Sequence, residues 1–136
     1  MKTIAQVVLV CAPLLLSACA ASANDPAPPP DAQGALFVSW TFDQKADPAE
    51  CNTSKLGTLE IVVTTEDMST TVGRMSEPCA SLIGAIALPA GRYVGTAHFV
   101  DATGVVKSEM IQTKNFEMTE GEHVNAKLDF SGDALF

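Results

Sequence analysis

The chain has 136 residues and a net charge of −8, with 16 acidic and 8 basic side chains. This length suits a single domain, since domains most often contain about 100–150 residues. A strongly acidic surface repels a phosphate backbone, so the charge argues against nucleic acid as a partner. It also argues against a polybasic patch as the means of membrane attachment.

The first residues have the pattern of an export signal. Met1-Lys2-Thr3 supplies a positive charge, and an apolar run follows from Ile4 to Leu16. Such a run is too short to cross the roughly 30 Å hydrocarbon core of a bilayer as a permanent helix. The sequence therefore predicts a cleaved signal peptide over residues 1–18.

Leu16-Ser17-Ala18-Cys19, at the end of this run, resembles the lipobox of bacterial lipoproteins: an aliphatic residue, two small residues and a cysteine. The resemblance implies cleavage before Cys19 and lipid on its thiol, so that acyl chains such as palmitate hold the protein on a membrane. Ala20 follows the cysteine, where an Asp would favour the inner membrane, so we expect the outer membrane, on either face. The alternative is an ordinary secretory leader cut after Ala18, after Ala20 or near Ala23.

Residues 19–33 form a small, polar and proline-rich segment without apolar periodicity. Such a segment cannot bury apolar surface, so its composition predicts a flexible tether with polyproline character. Its reach is on the order of 20 Å as a coil and up to about 45 Å when extended. Residues 34–136 then remain as a single domain.

From Gly34 onward, apolar residues recur with a period of two, as in Leu36, Val38, Trp40 and Phe42. This alternation is typical of antiparallel strands with one face on a core, and Trp40 is expected inside that core. Turn residues separate the runs, and Asp101 to Gly104 predicts a hairpin. We therefore expect an all-β fold, an antiparallel β-sandwich of about seven strands. The predicted strands are residues 35–42, 58–65, 69–75, 82–88, 92–101, 105–117 (with a break allowed) and 122–130.

The segment Leu88-Pro89-Ala90-Gly91-Arg92-Tyr93, followed by an alternating strand, resembles the start of a strand in transthyretin-like and carboxypeptidase-regulatory-like domains. The resemblance implies an Ig-like sandwich that serves as a binding or structural module, and it transfers no catalytic residue. In physical terms, Pro and Gly shape the turn, while Tyr93 buries its ring and directs its hydroxyl to a backbone partner.

Two cysteines remain in the mature region, Cys51 and Cys79. In an exported domain such a pair is expected to form a disulfide, and we expect it to clamp two loops at one end of the sandwich. The chain has no C-x-x-C motif, so the spacing favours a structural bridge over a redox or metal site.

Other chemistry-bearing residues leave alternatives open. His98, His123, Met110 and Met118 offer copper-binding groups, but without the close spacing of a copper motif. Carboxylates gather in the segments around the predicted disulfide and could hold calcium, although no EF-hand loop is present. These carboxylates are Asp43, Asp47, Glu50, Glu66, Asp67 and Glu77. We therefore expect neither a metal nor a cofactor.

No G-x-S-x-G elbow, phosphate loop or H-E-x-x-H motif occurs in the sequence. The sequence thus favours a non-enzymatic envelope lipoprotein that binds or assembles with a protein or glycan through its loops or a sheet edge. A carrier of metal or another small ligand is the first alternative, and a small hydrolase the second. The sequence leaves the ligand and the oligomeric state open.

Overall fold

The structure, a computed structural model, describes residues 33–136, so the predicted signal peptide, Cys19 and most of the predicted tether lie outside the described residues. The eight strands are β1 (Gln33–Phe42), β2 (Thr58–Thr65), β3 (Thr71–Pro78), β4 (Ile83–Pro89), β5 (Gly91–Val100), β6 (Ile111–Gln112), β7 (Phe116–Met118) and β8 (His123–Phe130). One short helix, α1, spans Ala49–Thr53, and 3-10 turns span Cys79–Ser81 and Gly132–Ala134. Within residues 33–136, no helix has the length and hydropathy needed to cross a membrane.

Two sheets pack face to face, which confirms the predicted β-sandwich. The first has the strand order β4-β1-β8, and the second has the order β3-β2-β5-β6, with β7 also paired to β5. The inward phases of the strands fill the space between the sheets, because alternate side chains of a strand share one face. The core includes Leu36, Val38, Trp40, Leu59, Ile61, Val63 and Phe99, none more than 1% exposed.

One strand pair departs from the expected antiparallel order. β1 and β8 run parallel, from Ala35 opposite His123 to Phe42 opposite Phe130. Parallel neighbours need a long connection between them, and here all the other strands lie between the two in the chain. The pairing therefore joins the first and last strands of the domain, a long-range contact that local periodicity does not reveal.

The predicted strand over residues 105–117 is broken, as the prediction allowed. Thr113 interrupts the ladder, because its hydroxyl oxygen accepts the Gly95 N–H at 2.8 Å while its own N–H donates to the Gly95 carbonyl. Only β6 and β7 remain as strands on either side of this irregularity. The second sheet consequently has a short and discontinuous edge.

The predicted disulfide between Cys51 and Cys79 is present, with a Cα–Cα distance of 5.8 Å. Cys51 lies in α1, and Cys79 lies in the 3-10 turn that carries the chain from β3 to β4. Trp40 is 1% exposed, as predicted for a core residue, and its indole N–H donates to the Cys79 carbonyl at 2.9 Å. The bridge therefore fixes the point where the chain crosses between the sheets.

The β3–β4 crossing closes one side of the sandwich. At Gly73 in β3, an added Cβ would lie 2.7 Å from the Ile86 Cδ1 atom of β4. At Gly84 in β4, an added Cβ would lie 2.8 Å from the Met75 Sδ atom of β3. The two outer strands thus approach each other closely at positions where glycine leaves room.

Candidate functional site: an open seam between the sheets

The side of the sandwich opposite the β3–β4 crossing is open. There β8 is the outermost strand of the first sheet, and β6 and β7 lie at the outer edge of the second. A groove of about 480 Å³ separates the two edges, and we refer to it as the open seam. Its lining comprises residues 111–116 from β6 through the start of β7 and residues 124–129 of β8.

The floor of the open seam is apolar and only partly covered. Ile111 and Phe116 on one side and Val124 and Ala126 on the other pack against the core but remain half-buried. On the closed side, by contrast, Leu88 of β4 is fully buried. Half-buried apolar side chains beside a groove of this size provide surface that a ligand can remove from water.

The backbone of β8 supplies the polar half of the site. The Ala35 N–H donates to the Glu122 carbonyl at 2.8 Å, and the Asp43 N–H donates to the Phe130 carbonyl at 3.0 Å. Since successive residues of a strand direct their backbone groups to opposite sides, the even-numbered residues of β8 face β1. The N–H and C=O groups of the odd-numbered residues therefore point to the free edge; these are His123, Asn125, Lys127 and Asp129.

This free edge is regular along its whole length. Among the described residues β8 pairs only with β1, in a continuous register. The other long outer strands are interrupted: β3 contains Gly73 and Pro78 and pairs with β2 through a register shift, whereas β4 contains Gly84 and ends at Pro89. Glycine, proline and bulges are devices that protect sheet edges from further pairing. β8 contains no glycine, proline or bulge, and of the protective devices it has only charge, on Lys127 and Asp129.

Three charged side chains line the open seam: Lys114, Lys127 and Asp129. The Asp129 carboxylate accepts hydrogen bonds from the Thr41 hydroxyl at 2.6 Å and from the Gln44 N–H at 2.8 Å. These bonds hold the pKa of Asp129 below its usual range, the Thr41 hydroxyl being the main cause. Asp129 therefore ties the end of β8 to the turn that follows β1.

The side chains of the copper alternative do not converge. His98 lies on the outward phase of β5, 3.4 Å from a Glu60 carboxylate oxygen, whereas His123 lies on the outward phase of β8, with its ring against Phe37. Met110 is 63% exposed, whereas Met118 is buried. In the part of the chain that the structure describes, no three His, Cys, Asp or Glu side chains are arranged to hold a metal.

The expectation that the carboxylates gather around the disulfide is wrong for Glu66 and Asp67. Thr58 pairs with Pro78 beside Cys79, whereas the turn that contains Glu66 and Asp67 closes the other end of the β2–β3 hairpin. The Asp67 carboxylate accepts hydrogen bonds from Thr65 and Ser69, which lower its pKa to about 2. Asp67 is therefore engaged in shaping a hairpin turn.

Tyr93 occupies the position that its motif predicts. Its ring is buried, and its hydroxyl donates to the Pro89 carbonyl at 3.0 Å. Burial raises the pKa of this hydroxyl. Tyr93 thus fixes the turn between β4 and β5, and its ring packs against Phe116 of the open seam.

Sequence reasoning did not identify β8 as a binding edge. The alternation from His123 to Phe130, without glycine or proline, was a usable signal of a long regular strand. Which of its backbone groups are free depends on the parallel pairing with β1, which only the fold reveals.

No family model matches the chain, and no curated protein matches it. Among solved structures, the TIE protein of Bacillus anthracis is 21% identical with a TM-score of 0.48, the match covering 73% of this chain and 17% of that one. A candidate polysaccharide-binding protein of Bacteroides thetaiotaomicron is 12% identical, with a TM-score of 0.43 and coverages of 71% and 46%. A candidate adhesin of Bacteroides ovatus is 11% identical, with a TM-score of 0.41 and coverages of 73% and 45%. The chain spans less than half of each of these proteins, and likenesses at this level carry no conclusion about its ligand.

Proposed function

We propose that this chain is a lipid-anchored, non-enzymatic module of the bacterial envelope that binds a partner by strand addition at the free edge of β8. The observation that carries the proposal is the open seam: a regular row of outward N–H and C=O groups above half-buried apolar side chains. An added strand satisfies such backbone groups while its alternate side chains cover the apolar floor. Glycans lack this regular alternation of amide donors and acceptors, so the edge favours a protein partner.

Membrane attachment is the part of the proposal that rests on Leu16-Ser17-Ala18-Cys19. The disulfide between Cys51 and Cys79 supports export, because such bridges persist in oxidising compartments such as the periplasm. Placement at the outer membrane follows from Ala20 and is proposed with the anchor.

A binding role rather than catalysis fits the lining of the open seam. Its described lining contains no histidine, cysteine or serine, so it lacks the usual nucleophile and base. Its only carboxylate, that of Asp129, is already held by Thr41 and Gln44. The remaining polar groups suit recognition.

The anchor is tested by expressing the precursor in a Gram-negative host and analysing the membrane fraction by mass spectrometry. We expect an N-terminal peptide that begins at Cys19 and carries acyl chains, and a Cys19→Ser variant that leaves the membrane fraction. An unacylated chain, or a Cys19→Ser variant that stays with the membrane, would refute the anchor.

The edge is tested with two variants at one position, followed by cross-linking in intact envelopes. Lys127→Pro removes an N–H that points to the free edge, whereas Lys127→Thr removes the charge and keeps that N–H. We expect the cross-linked adduct of the wild-type protein to persist in Lys127→Thr and to disappear in Lys127→Pro. An adduct of equal yield in both variants would show that strand addition at β8 is not the mode of binding.

A further inference from the structure

We propose that the strand added to β8 is β8 of a second copy of this chain, running antiparallel to the first. This inference rests on the proposed function of the free edge and names its partner. Two sheets of order β4-β1-β8 would join edge to edge into one continuous sheet. The free backbone groups and the charges of β8 together restrict the register of such a pair.

The backbone restricts the register first. Only the odd-numbered residues of β8 direct N–H and C=O groups to the free edge, so odd residues must face odd residues to exchange hydrogen bonds. A two-fold axis at Ala126 meets this condition. It places His123 opposite Asp129 of the second copy and Asn125 opposite Lys127 of the second copy, each pair occurring twice.

The side chains then select this register over its neighbours. With the axis at Ala126, the His123 imidazole lies opposite the Asp129 carboxylate of the second copy. The Asn125 amide lies opposite the Lys127 ammonium group of the second copy. A two-fold axis shifted by one residue towards the end of β8 would place Lys127 opposite itself. A shift of one residue the other way would place His123 opposite Lys127 and leave Asp129 without a cationic neighbour. Of these three registers, only the one with its axis at Ala126 pairs the charged side chains of β8 favourably.

The inward phase of β8 supports the same arrangement. Val124 would lie opposite Leu128 of the second copy, and Ala126 would meet its own equivalent at the axis. Val124 and Ala126 are the half-buried residues of β8 beside the groove. Pairing would extend the apolar surface across the axis, with the small Ala126 side chain where the two copies approach most closely.

Cross-linking at the axis tests the register directly. Ala126 would form a non-hydrogen-bonded pair with its equivalent, in which Cα atoms lie about 4.5 Å apart, close enough for a disulfide. In the mature chain carrying Cys19→Ser, we expect Ala126→Cys to form a covalent dimer on mild oxidation. Val124→Cys is the matched control, because Leu128 of the second copy would face it and no cysteine. Equal cross-linking of the two variants, or none in either, would overturn the proposed register.

Charge substitutions at the exposed Asn125 test the same pairing without a new thiol. Asn125→Lys would place two ammonium groups opposite each other twice, whereas Asn125→Glu would place a carboxylate opposite Lys127 of the second copy. In sedimentation equilibrium at low salt, we expect the dimer dissociation constant to rise about tenfold for the first and to fall for the second. Adding Lys127→Glu to Asn125→Lys should restore the wild-type value. Equal effects of the two single variants would contradict the proposal.

The outcomes separate this inference from the proposed function. A wild-type chain that stays monomeric up to about 1 mM, where association is weaker than about 4 kcal/mol, would refute the dimer. If Lys127→Pro still abolished the envelope adduct, strand addition with a different protein would stand. If the chain stayed monomeric and Lys127→Pro left the adduct unchanged, both the dimer and strand addition at β8 would be refuted. In every variant, the fluorescence of the buried Trp40 reports whether the domain has folded.

Discussion

The two sides of this sandwich end their sheets in opposite ways. On the closed side, four residues carry the chain from β3 to β4, and the disulfide and the Trp40 hydrogen bond fix that crossing. On the open side, β8 has no neighbour beyond β1 among the described strands, and β6 and β7 form an interrupted edge. Connectivity therefore distinguishes the two sides: the short crossing brings β3 and β4 into close contact, whereas the last strand, β8, has no such connection to the other sheet.

Removal of the disulfide should have the largest effect on the closed side. Cys51 and Cys79 are 28 residues apart, and the loop-entropy model gives about 3–4 kcal/mol for a loop of this size. We expect the double variant Cys51→Ala/Cys79→Ala to lose that free energy of unfolding in urea titrations. Reductant should destabilise the wild-type domain similarly and leave the double variant unchanged. A double variant as stable as the oxidised wild type would show that the bridge does not support the crossing.

Truncating one apolar side chain on each side sharpens the comparison. Leu88→Ala removes a fully buried side chain near β3 and should cost about 3 kcal/mol, including the cavity it leaves. Val124→Ala removes two methyl groups from a half-buried residue beside the open seam and should cost about 1 kcal/mol or less. Chemical denaturation of the isolated monomer measures both. Equal losses would mean that the open side is as well packed as the closed one.

The hydrogen bond of Trp40 has a smaller effect on the closed side. Trp40→Phe keeps an aromatic ring in the core but leaves the Cys79 carbonyl without its indole donor. The Leu82 N–H still donates to this carbonyl at 3.3 Å, so we expect a loss of about 1 kcal/mol in unfolding free energy, the usual net contribution of one hydrogen bond. Trp40 emission in the wild-type domain should be blue-shifted and should move to the red on unfolding. Emission typical of a solvated indole in the native state would contradict the burial of Trp40.

The sequence was informative where structure depends on local patterns. Period-two alternation located the strands, Pro89 and Gly91 marked the turn before Tyr93, and the two remaining cysteines paired as expected. It was uninformative where structure depends on pairing between distant segments. The parallel contact of β1 with β8 joins residues about 90 positions apart, and it alone determines which β8 groups are free. For the same reason, Glu66 and Asp67 were wrongly grouped with the disulfide, since spacing in the sequence does not reveal which end of a hairpin a turn occupies.

The smallest expected effect concerns Asp129, which anchors the open edge. The Thr41 hydroxyl is the main cause of its lowered pKa, so Thr41→Val should raise that pKa towards the value of an unperturbed aspartate. A carboxyl with a lowered pKa in the folded state stabilises the fold above its unfolded-state pKa, and this contribution is lost as the pH falls through the folded-state pKa. The variant should therefore lose less stability than the wild type as the pH falls below the unfolded-state pKa of an aspartate, about 4. NMR titration of the Asp129 carboxyl carbon measures the change in its pKa.

The Asp67 carboxyl, whose pKa is lowered to about 2 in a turn far from Thr41, is the internal control, and its pKa should not change. An unchanged Asp129 titration would mean that Thr41 does not hold this carboxylate, and the open edge would then lack the fixed charge on which its pairing register depends.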